Sequence, residues 1–210
     1  MWILALPWLA TALVIVALRW LPPPVTSFML QSPIEPVDYR WVDWPDISPA
    51  LRLAAVAAED QRFVQHHGFD IDAISNAIAD QRRRRGASTI SQQVAKNLFL
   101  WPGGGYFRKS LEAGLTVLLE AALPKRRILE IYLNIVEFGP GIYGAEAAAH
   151  RYFGTSARHL TSHQAALLAA VLPSPRRYNP ADPSPYHRRR AAWIEAQMRH
   201  LGPGWLAALQ

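Results

Sequence analysis

Near its start the chain has seventeen consecutive uncharged residues, Trp2 to Leu18 (WILALPWLATALVIVAL), and few folds accommodate such a run. As a helix rising about 1.5 Å per residue, the run spans roughly 26 Å, just short of the ~30 Å hydrocarbon core of a bilayer. Trp20 and Leu21 extend it beyond Arg19. We therefore expect residues 1–21 to form one uncleaved transmembrane helix that anchors the chain.

A cleaved signal peptide is the alternative interpretation of this run. It requires a basic segment before the apolar residues and a small-x-small cleavage site after them, and LRWLPPPVTSF has no such site. No Lys or Arg precedes the run, whereas Arg19 follows it, so the positive-inside rule does not set the orientation of the anchor. Orientation has to come from the chemistry of the rest of the chain, or the true start lies upstream.

Composition limits the remaining possibilities. A chain of 210 residues that is 50% apolar supports one hydrophobic core. The absence of cysteine excludes a disulfide framework, a thiolate zinc site and a cysteine nucleophile. A net charge of +6 favours a negatively charged partner, which could be nucleic acid, anionic lipid or a phosphorylated substrate.

The chain after the apolar run divides into two parts. Residues 22–47 are rich in proline, including the stiff triplet Pro22-Pro23-Pro24, and we expect a linker and lead-in without helix there. Helix signals then follow one another through residues 48–210. Ser48-Pro49 is an N-cap followed by proline at the first helical position, and Thr89 to Gln92 fits a capping box.

Apolar periodicity places the helices between the glycine- and proline-rich breaks. They are predicted at about residues 49–63, 70–79, 89–100, 108–123, 125–136, 143–152, 162–172 and 186–201. No segment alternates with period two, and there is no internal repeat. The sequence therefore predicts one mainly α-helical domain.

The first group of candidate functional residues is Glu59-Asp60, at the end of an alanine- and leucine-rich helix. A carboxylate at the edge of an apolar helix can have a raised pKa and act as a base, although most such acids simply face solvent. His66-His67 follows, but adjacent histidines point to different faces and no third ligand has metal-site spacing. A hydrogen-bonding or packing role is the better interpretation of this pair.

Two further groups lie on the next helices. Gln93, Lys96 and Asn97 share one helix face, behind a helix N-terminus that could bind an anion. Arg108 and Glu112, with Lys109 between them, occupy the first turn of the long helix. Each group has an ordinary alternative: a solvated face for the first, and for the second a surface ion pair contributing about 0.3–0.5 kcal/mol.

Taken together and in this order, five segments resemble the biosynthetic peptidoglycan glycosyltransferases. The segments are AEDQRFVQHHGFD, RGASTISQQVAKNLFL, RKSLE, KRRILEIYLNIVEFGPGIYGAEAAAHRYFG and AALLAAVLPSPRRYNP. The resemblance covers about residues 40–200. With a single anchor and no room for a transpeptidase domain, the chain is similar to the monofunctional peptidoglycan transglycosylases.

This resemblance implies a lysozyme-like, mainly α fold with a small mobile lobe that enters the membrane surface. The aromatic and glycine-rich loop WPGGGYF, residues 101–107, suits such a lobe. The departures from the family pattern are Ala87 in place of a second glycine, His67 at a variable place, and Gln164 where an acid is common. None of them affects the residues expected to carry the chemistry.

The resemblance also implies the reaction. The substrates are lipid II and the growing glycan chain, and transfer inverts the anomeric carbon to give a β-1,4 product with release of undecaprenyl pyrophosphate. Glu59 is implied as the base for the acceptor hydroxyl, and Glu112 as the second catalytic carboxylate. Two roles stay open for Glu112: orienting the neighbouring cations, or holding a divalent ion such as Mg²⁺ or Mn²⁺ at the pyrophosphate.

The other site residues are implied to bind the donor. Lys96, Arg108 and Lys109 supply positive charge to a leaving group that needs no proton. Ser88, Gln93 and Asn97 match donor contacts of the family. The implied location is the bacterial inner membrane, with the catalytic domain on the periplasmic side and with membrane lipids as partners. Other cell-wall synthesis or division proteins are further candidate partners.

Two alternatives remain at this point. A muramidase or lytic transglycosylase shares the fold, but it expels a sugar hydroxyl and therefore needs a protonated acid rather than a cation cluster. A membrane-anchored nucleic-acid binder would use Arg82–Arg85 and Arg188–Arg190, yet neither run has regularly spaced aromatic partners. We interpret both arginine runs as solvated faces or contacts to anionic lipid, and expect no nucleic-acid partner.

Overall fold

The computed structural model describes residues 2–79 and 88–209, and helices dominate both ranges. The α-helices of these ranges are α1 Trp2–Ala17, α2 Ser27–Leu30, α3 Pro49–Glu59, α4 Ile71–Ala79, α5 Ile90–Phe99, α6 Tyr106–Ala122, α7 Lys125–Ile135, α8 Ala145–Phe153, α9 Ser162–Val171 and α10 Pro185–Leu201. Short 3₁₀ segments lie at Trp44–Asp46, Ala157–His159 and Pro203–Leu209. The mainly α prediction is confirmed.

A small sheet accompanies the helices and was not predicted. Its strands are β1 Asp38–Tyr39, β2 Glu137–Gly139 and β3 Ile142–Tyr143, in the order β1-β3-β2. β1 is parallel to β3, and β2 is antiparallel to β3. Strands of two or three residues are too short to produce a visible alternation of apolar and polar side chains, so the sequence pattern could not reveal them.

Two helix predictions are wrong in detail. The helix expected to reach Phe63 ends at Glu59, because Asp60 leaves the helical conformation (φ −159°). Its carboxylate bonds instead to groups outside the helix. The lead-in, expected to lack helix, contains α2, whose N-cap Thr26 accepts a hydrogen bond from the Met29 backbone.

The core is built around α7, which is buried from Ile128 to Ile135. α5 packs against both α6 and α7, while α3 packs against α9 and α10. The alanine-rich faces of α3, α8 and α9 are fully buried, and small side chains allow helices to approach closely. Hydrogen bonds from Ile90 N–H to Asp60 and from Gln93 to Glu59 join the C-terminal end of α3 to α5.

The lead-in packs onto this core through Asn134, which is fully buried in α7. Its Oδ1 accepts from the Val42 N–H at 2.9 Å, and its Nδ2 donates to the carbonyls of Val42 and Glu130, each at 2.9 Å. Glu130 also accepts from the Trp44 N–H at 2.6 Å. One asparagine and one glutamate thus provide hydrogen-bond partners for the backbone groups of the irregular segment before α3.

Replacing Asn134 with Ala should lower the free energy of unfolding by about 2–4 kcal/mol. The loss follows from leaving the partly buried Val42 N–H and C=O without their hydrogen-bond partners. Asn179→Ala is the matched control, because the Asn179 side chain accepts from the exposed Ala181 N–H, and its loss should cost less than about 1 kcal/mol. Denaturant unfolding of both variants measures the difference, and equal losses would show that Asn134 does not hold the lead-in.

α1 lies against α6. Ile15 and Leu18 are buried, and Gly114 of α6 faces the ring of Trp8, which would lie 3.5 Å from a Cβ at that position. Arg127 of α7 donates to the carbonyls of Leu18 and Leu21 at 2.7 and 2.9 Å. Within the two described ranges, no helix is both long enough and apolar enough to cross a membrane.

Candidate active site

Glu59 is the last residue of α3, and its side chain is largely buried. Gln93 of α5 donates from Nε2 to Glu59 Oε2 at 2.9 Å, and Arg190 of α10 places Nη2 3.8 Å from Oε1. Burial raises the pKa of Glu59, and the charge of Asp60 acts in the same direction. The Gln93 hydrogen bond and the charges of Arg190 and Lys96 act against this rise in pKa.

Asp60 joins the end of α3 to the start of α5. It is buried, accepts from the Ile90 N–H at 3.0 Å, and lies 2.9 Å from His66 Nε2. The His66 ring in turn meets Phe63 edge-on, with centroids 6.3 Å apart. The predicted hydrogen-bonding or packing role is confirmed for His66, and the bond from Ile90 to Asp60 ties the residue next to Glu59 to α5.

The start of α5 has the predicted capping box. Thr89 Oγ1 accepts from the Gln92 N–H, while Gln92 Oε1 accepts from the Thr89 N–H at 3.0 Å. The same hydroxyl donates to the Gly68 carbonyl at 2.6 Å. Because both hydrogen bonds of the capping box are formed, the position at which α5 begins is fixed.

The next two turns of α5 present the predicted side chains. Gln93 and Lys96 are half-buried, and Asn97 is buried. Among the residues that the structure describes, no side-chain hydrogen bond links Asn97 to another predicted site residue. The opposite face of α5, formed by Ile90, Val94 and Leu98, packs in the core.

Glu112, on the first turns of α6, is the second carboxylate centre of the site, after Glu59. Its side chain is only 3% exposed. Arg108 Nη1 lies 2.7 Å from Glu112 Oε2, and Lys109 Nζ forms an ion pair with Oε1. Lys109 Nζ also lies 3.4 Å from Ser88 Oγ. A buried carboxylate that holds two cations is not the ordinary surface ion pair that the spacing alone allowed.

Lys96 connects the two centres electrostatically. Burial lowers the pKa of Lys96, and so do the charges of Arg108 and Lys109, whereas the charges of Glu112 and Glu59 raise it. Its Nζ also lies 5.4 Å from the centroid of the Phe28 ring. The structure therefore brings the predicted base and the predicted cation cluster into one site, with Lys96 in the field of both carboxylates.

Comparison with known proteins agrees with this arrangement. The sequence model of a family described as Transglycosylase matches residues 28–199. This chain belongs to the transglycosylase family. A biosynthetic peptidoglycan transglycosylase of Stutzerimonas stutzeri is 50% identical over 213 residues, covering 96% of this chain and 86% of that protein.

Other relatives of this transglycosylase have the same name. The protein of Shewanella frigidimarina is 56% identical over 191 residues, covering 90% of this chain and 84% of the relative. That of Xanthomonas campestris pv. campestris is 50% identical over 223 residues, covering 99% of this chain and 91% of the relative. The similarity thus extends over the elements that carry Glu59 and Glu112.

Arg190 lies in the candidate site, although its sequence pattern did not indicate this. The interpretation of Arg188–Arg190 as a solvated or lipid-facing run is wrong for Arg190, whose side chain is only 25% exposed and lies beside Glu59. No local signal could have separated it from its two neighbours, because the contact depends on how α10 packs against α3. Arg82–Arg85 and Ala87 lie outside the described residues.

The residues of the site do not form a metal centre in the described ranges, where no group of three or more His, Asp or Glu side chains could hold an ion. Both oxygens of Glu112 already face cationic groups, Arg108 and Lys109. A divalent ion bound to Glu112 would lie beside both of these cations and be repelled by their charge. The side chains present therefore do not fit a resident metal on Glu112.

Proposed function

We propose that this transglycosylase polymerises lipid II into linear β-1,4-linked glycan strands and releases undecaprenyl pyrophosphate. One observation carries the proposal: the charge of Glu59, a largely buried carboxylate, and the charges of the cluster around Glu112 all affect the pKa of Lys96. The relatives, which are biosynthetic peptidoglycan transglycosylases, support this substrate class, and the mainly α architecture fits a lysozyme-like domain. Cell-wall biosynthesis is the process it would serve.

The proposed step is a single displacement at the anomeric carbon of the growing chain. The acceptor 4-hydroxyl forms the new C–O bond, its proton passes to Glu59, and the bond to the pyrophosphate breaks with inversion. A pKa raised by burial brings this carboxylate closer to the operating pH, which suits a base. Its ionised form is kept available by Gln93, Arg190 and Lys96.

The leaving pyrophosphate gains negative charge as the bond breaks, and nearby cations would stabilise that charge. Lys96, Arg108 and Lys109 would stabilise it, with Ser88 beside Lys109 as a further donor. We assign Glu112 the role of orienting Arg108 and Lys109, because each of its oxygens is engaged by one of them. Asn97 completes the proposed donor contacts.

A muramidase is the second candidate, because a raised pKa also suits a general acid. Cleavage of a finished glycan would leave the cation cluster without a function, which favours polymerisation. Purified protein given lipid II should release undecaprenyl pyrophosphate and form glycan strands. Cleavage of finished peptidoglycan without polymerisation would make the muramidase the correct assignment.

We also propose that residues 1–21 anchor the protein in the bacterial inner membrane, with residues 22–47 as lead-in and the catalytic domain, residues 48–210, on the periplasmic side. The uncharged run and its exposed apolar side chains support the anchor, among them Leu9 and Leu13. The orientation follows from the proposed substrate, because the catalytic domain has to lie on the side of the membrane where lipid II is polymerised. Membrane lipids are then partners of the protein, and proteins of cell-wall synthesis or division remain candidates.

The anchor should act by confining the protein to the plane that contains its substrate. Replacing both Leu9 and Leu13 with Lys charges the exposed face of α1, 59% and 64% exposed, and spares the packed Ile15 and Leu18. We expect at least ~10-fold slower polymerisation of lipid II in vesicles, with little change in detergent. Equal losses in vesicles and in detergent would mean that α1 serves folding instead.

A further inference from the structure

A short chain of hydrogen bonds runs from the centre of the domain to Glu59. Tyr132 of α7 is fully buried, and its hydroxyl lies 3.3 Å from Gln93 Oε1. Gln93 Nε2 then donates to Glu59 Oε2 at 2.9 Å. Three helices, α7, α5 and α3, are therefore connected through one glutamine amide.

The direction of that amide matters because its two ends are different. An ionised Glu59 can only accept hydrogen bonds, so it requires the NH₂ end of Gln93. A protonated Glu59 accommodates either orientation, because its C=O can accept from the NH₂ group and its O–H can donate to Oε1. The amide orientation and the protonation state of Glu59 are thus coupled.

Tyr132 favours one of the two orientations. With Oε1 toward α7, the hydroxyl donates to it. With the amide reversed, the hydroxyl hydrogen would need another acceptor, and the described residues offer it no hydrogen bond other than that to Gln93. A buried donor without a partner is unfavourable, so the reversed amide is disfavoured.

We propose that Tyr132 is a positioning residue of this enzyme: its hydroxyl holds the Gln93 amide with the NH₂ group toward Glu59 and so keeps that carboxylate ionised and ready to accept a proton. The inference rests on the proposed role of Glu59 as the base. It deepens that role by assigning the control of the base to a residue that touches neither substrate.

The surroundings allow Tyr132 to remain a donor. Burial, together with the charges of Glu59 and Asp60, holds the pKa of Tyr132 well above 10, so its proton stays on the hydroxyl throughout the working range. The other charged groups that act on Glu59 are Asp60, which opposes its ionisation, and Arg190 and Lys96, which favour it. None of these three is altered by removing a tyrosine hydroxyl.

Tyr132→Phe removes the hydroxyl and keeps the ring. Tyr143→Phe is a matched control, because Tyr143 is also fully buried and its hydroxyl donates to the Phe28 carbonyl at the same 3.3 Å. The Tyr143 hydroxyl also hydrogen-bonds Ser32 and Arg176, so a purely structural effect would be at least as large in Tyr143→Phe as in Tyr132→Phe. Gln93→Leu, which removes the amide, is a second variant that reports on the same route.

The direct measurement is the titration of the Glu59 carboxyl by ¹³C NMR. The full chain is labelled at its glutamate carboxyl carbons, and the Glu59 resonance is assigned by its loss in Glu59→Gln. We expect the midpoint to rise in Tyr132→Phe and in Gln93→Leu, and to stay at the wild-type value in Tyr143→Phe. An unchanged midpoint in Tyr132→Phe, or an equal rise in Tyr143→Phe, would overturn the proposal.

Polymerisation kinetics give the second readout. The acid limb of kcat/KM for Tyr132→Phe should move to higher pH, with turnover roughly three- to tenfold lower below the limb and recovering above it. In a Gln93→Leu background the same substitution should produce no further shift, and a further shift would refute the route through Gln93. A wild type that titrates as expected but does not polymerise lipid II would refute the proposed function and leave the assignment of Tyr132 intact.

Discussion

Glu59→Gln should lower lipid II polymerisation by about 10²–10⁴-fold, the usual contribution of a positioned base. The substitution preserves size and still allows a carbonyl oxygen to accept from Gln93 Nε2. It removes the ability to take the acceptor proton, together with the negative charge that faces Arg190 at 3.8 Å. Steady-state polymerisation assays compare the variant with the wild type, and binding of a donor analogue should remain close to that of the wild type.

The same variant should fold at least as stably as the wild type at neutral pH. Burial raises the pKa of Glu59 above its unfolded value, so the folded state binds this proton more tightly. The carboxyl therefore contributes stability that is fully present below the unfolded pKa and is lost as the pH rises through the folded pKa. Glutamine stays neutral, so Glu59→Gln should gain stability relative to the wild type as the pH increases across that window.

Two outcomes would contradict the assignment of Glu59. Polymerisation that survives the substitution would show that the base is another group. A large loss of stability at neutral pH, together with lost activity, would mean that the carboxylate is structural. Asp60→Asn is a useful comparison, because Asp60 bonds Ile90 and His66, and its change should lower stability as well as activity.

Lys109→Gln should slow polymerisation by at least ~10²-fold, which corresponds to a few kcal/mol of transition-state stabilisation. Lys109 is 45% exposed and contacts both Glu112 and Ser88, so it can reach a bound pyrophosphate without leaving the cluster. Arg108→Gln should have a similar effect on turnover. It should also lower stability, because the buried Glu112 loses one of its two partners.

Lys125→Gln is the matched control for Lys109. Lys125 also pairs with a glutamate, Glu120 at 2.7 Å, but it lies on α7 and takes no part in the proposed site. It should retain polymerisation within a few-fold below its melting temperature. A phosphoglycolipid that mimics the donor should bind Lys109→Gln much more weakly than the wild type. Unchanged affinity would show that Lys109 only pairs with Glu112 and does not contact the donor.

Features that depend on local interactions, such as helix starts and apolar helix faces, could be predicted from the sequence. Ser48 and Thr89 begin their helices as expected, because an N-cap acts within three residues of itself. The apolar face of α5 and the burial of α7 follow from periodicity, since a helix places residues three and four apart on one side. The order of the short segments around Glu59, Gln93 and Glu112 was enough to indicate the family and the candidate site.

The tertiary structure decided what depends on contacts between distant elements. α3 ends at Glu59 rather than Phe63 because Asp60 bonds the start of α5, and Arg190 reaches Glu59 only because α10 packs on α3. Burial separates the Glu112 cluster from a surface ion pair of identical spacing. Tyr132 belongs to the same class, because its sequence position predicts a core residue and only the packing of α7 on α5 places its hydroxyl on Gln93.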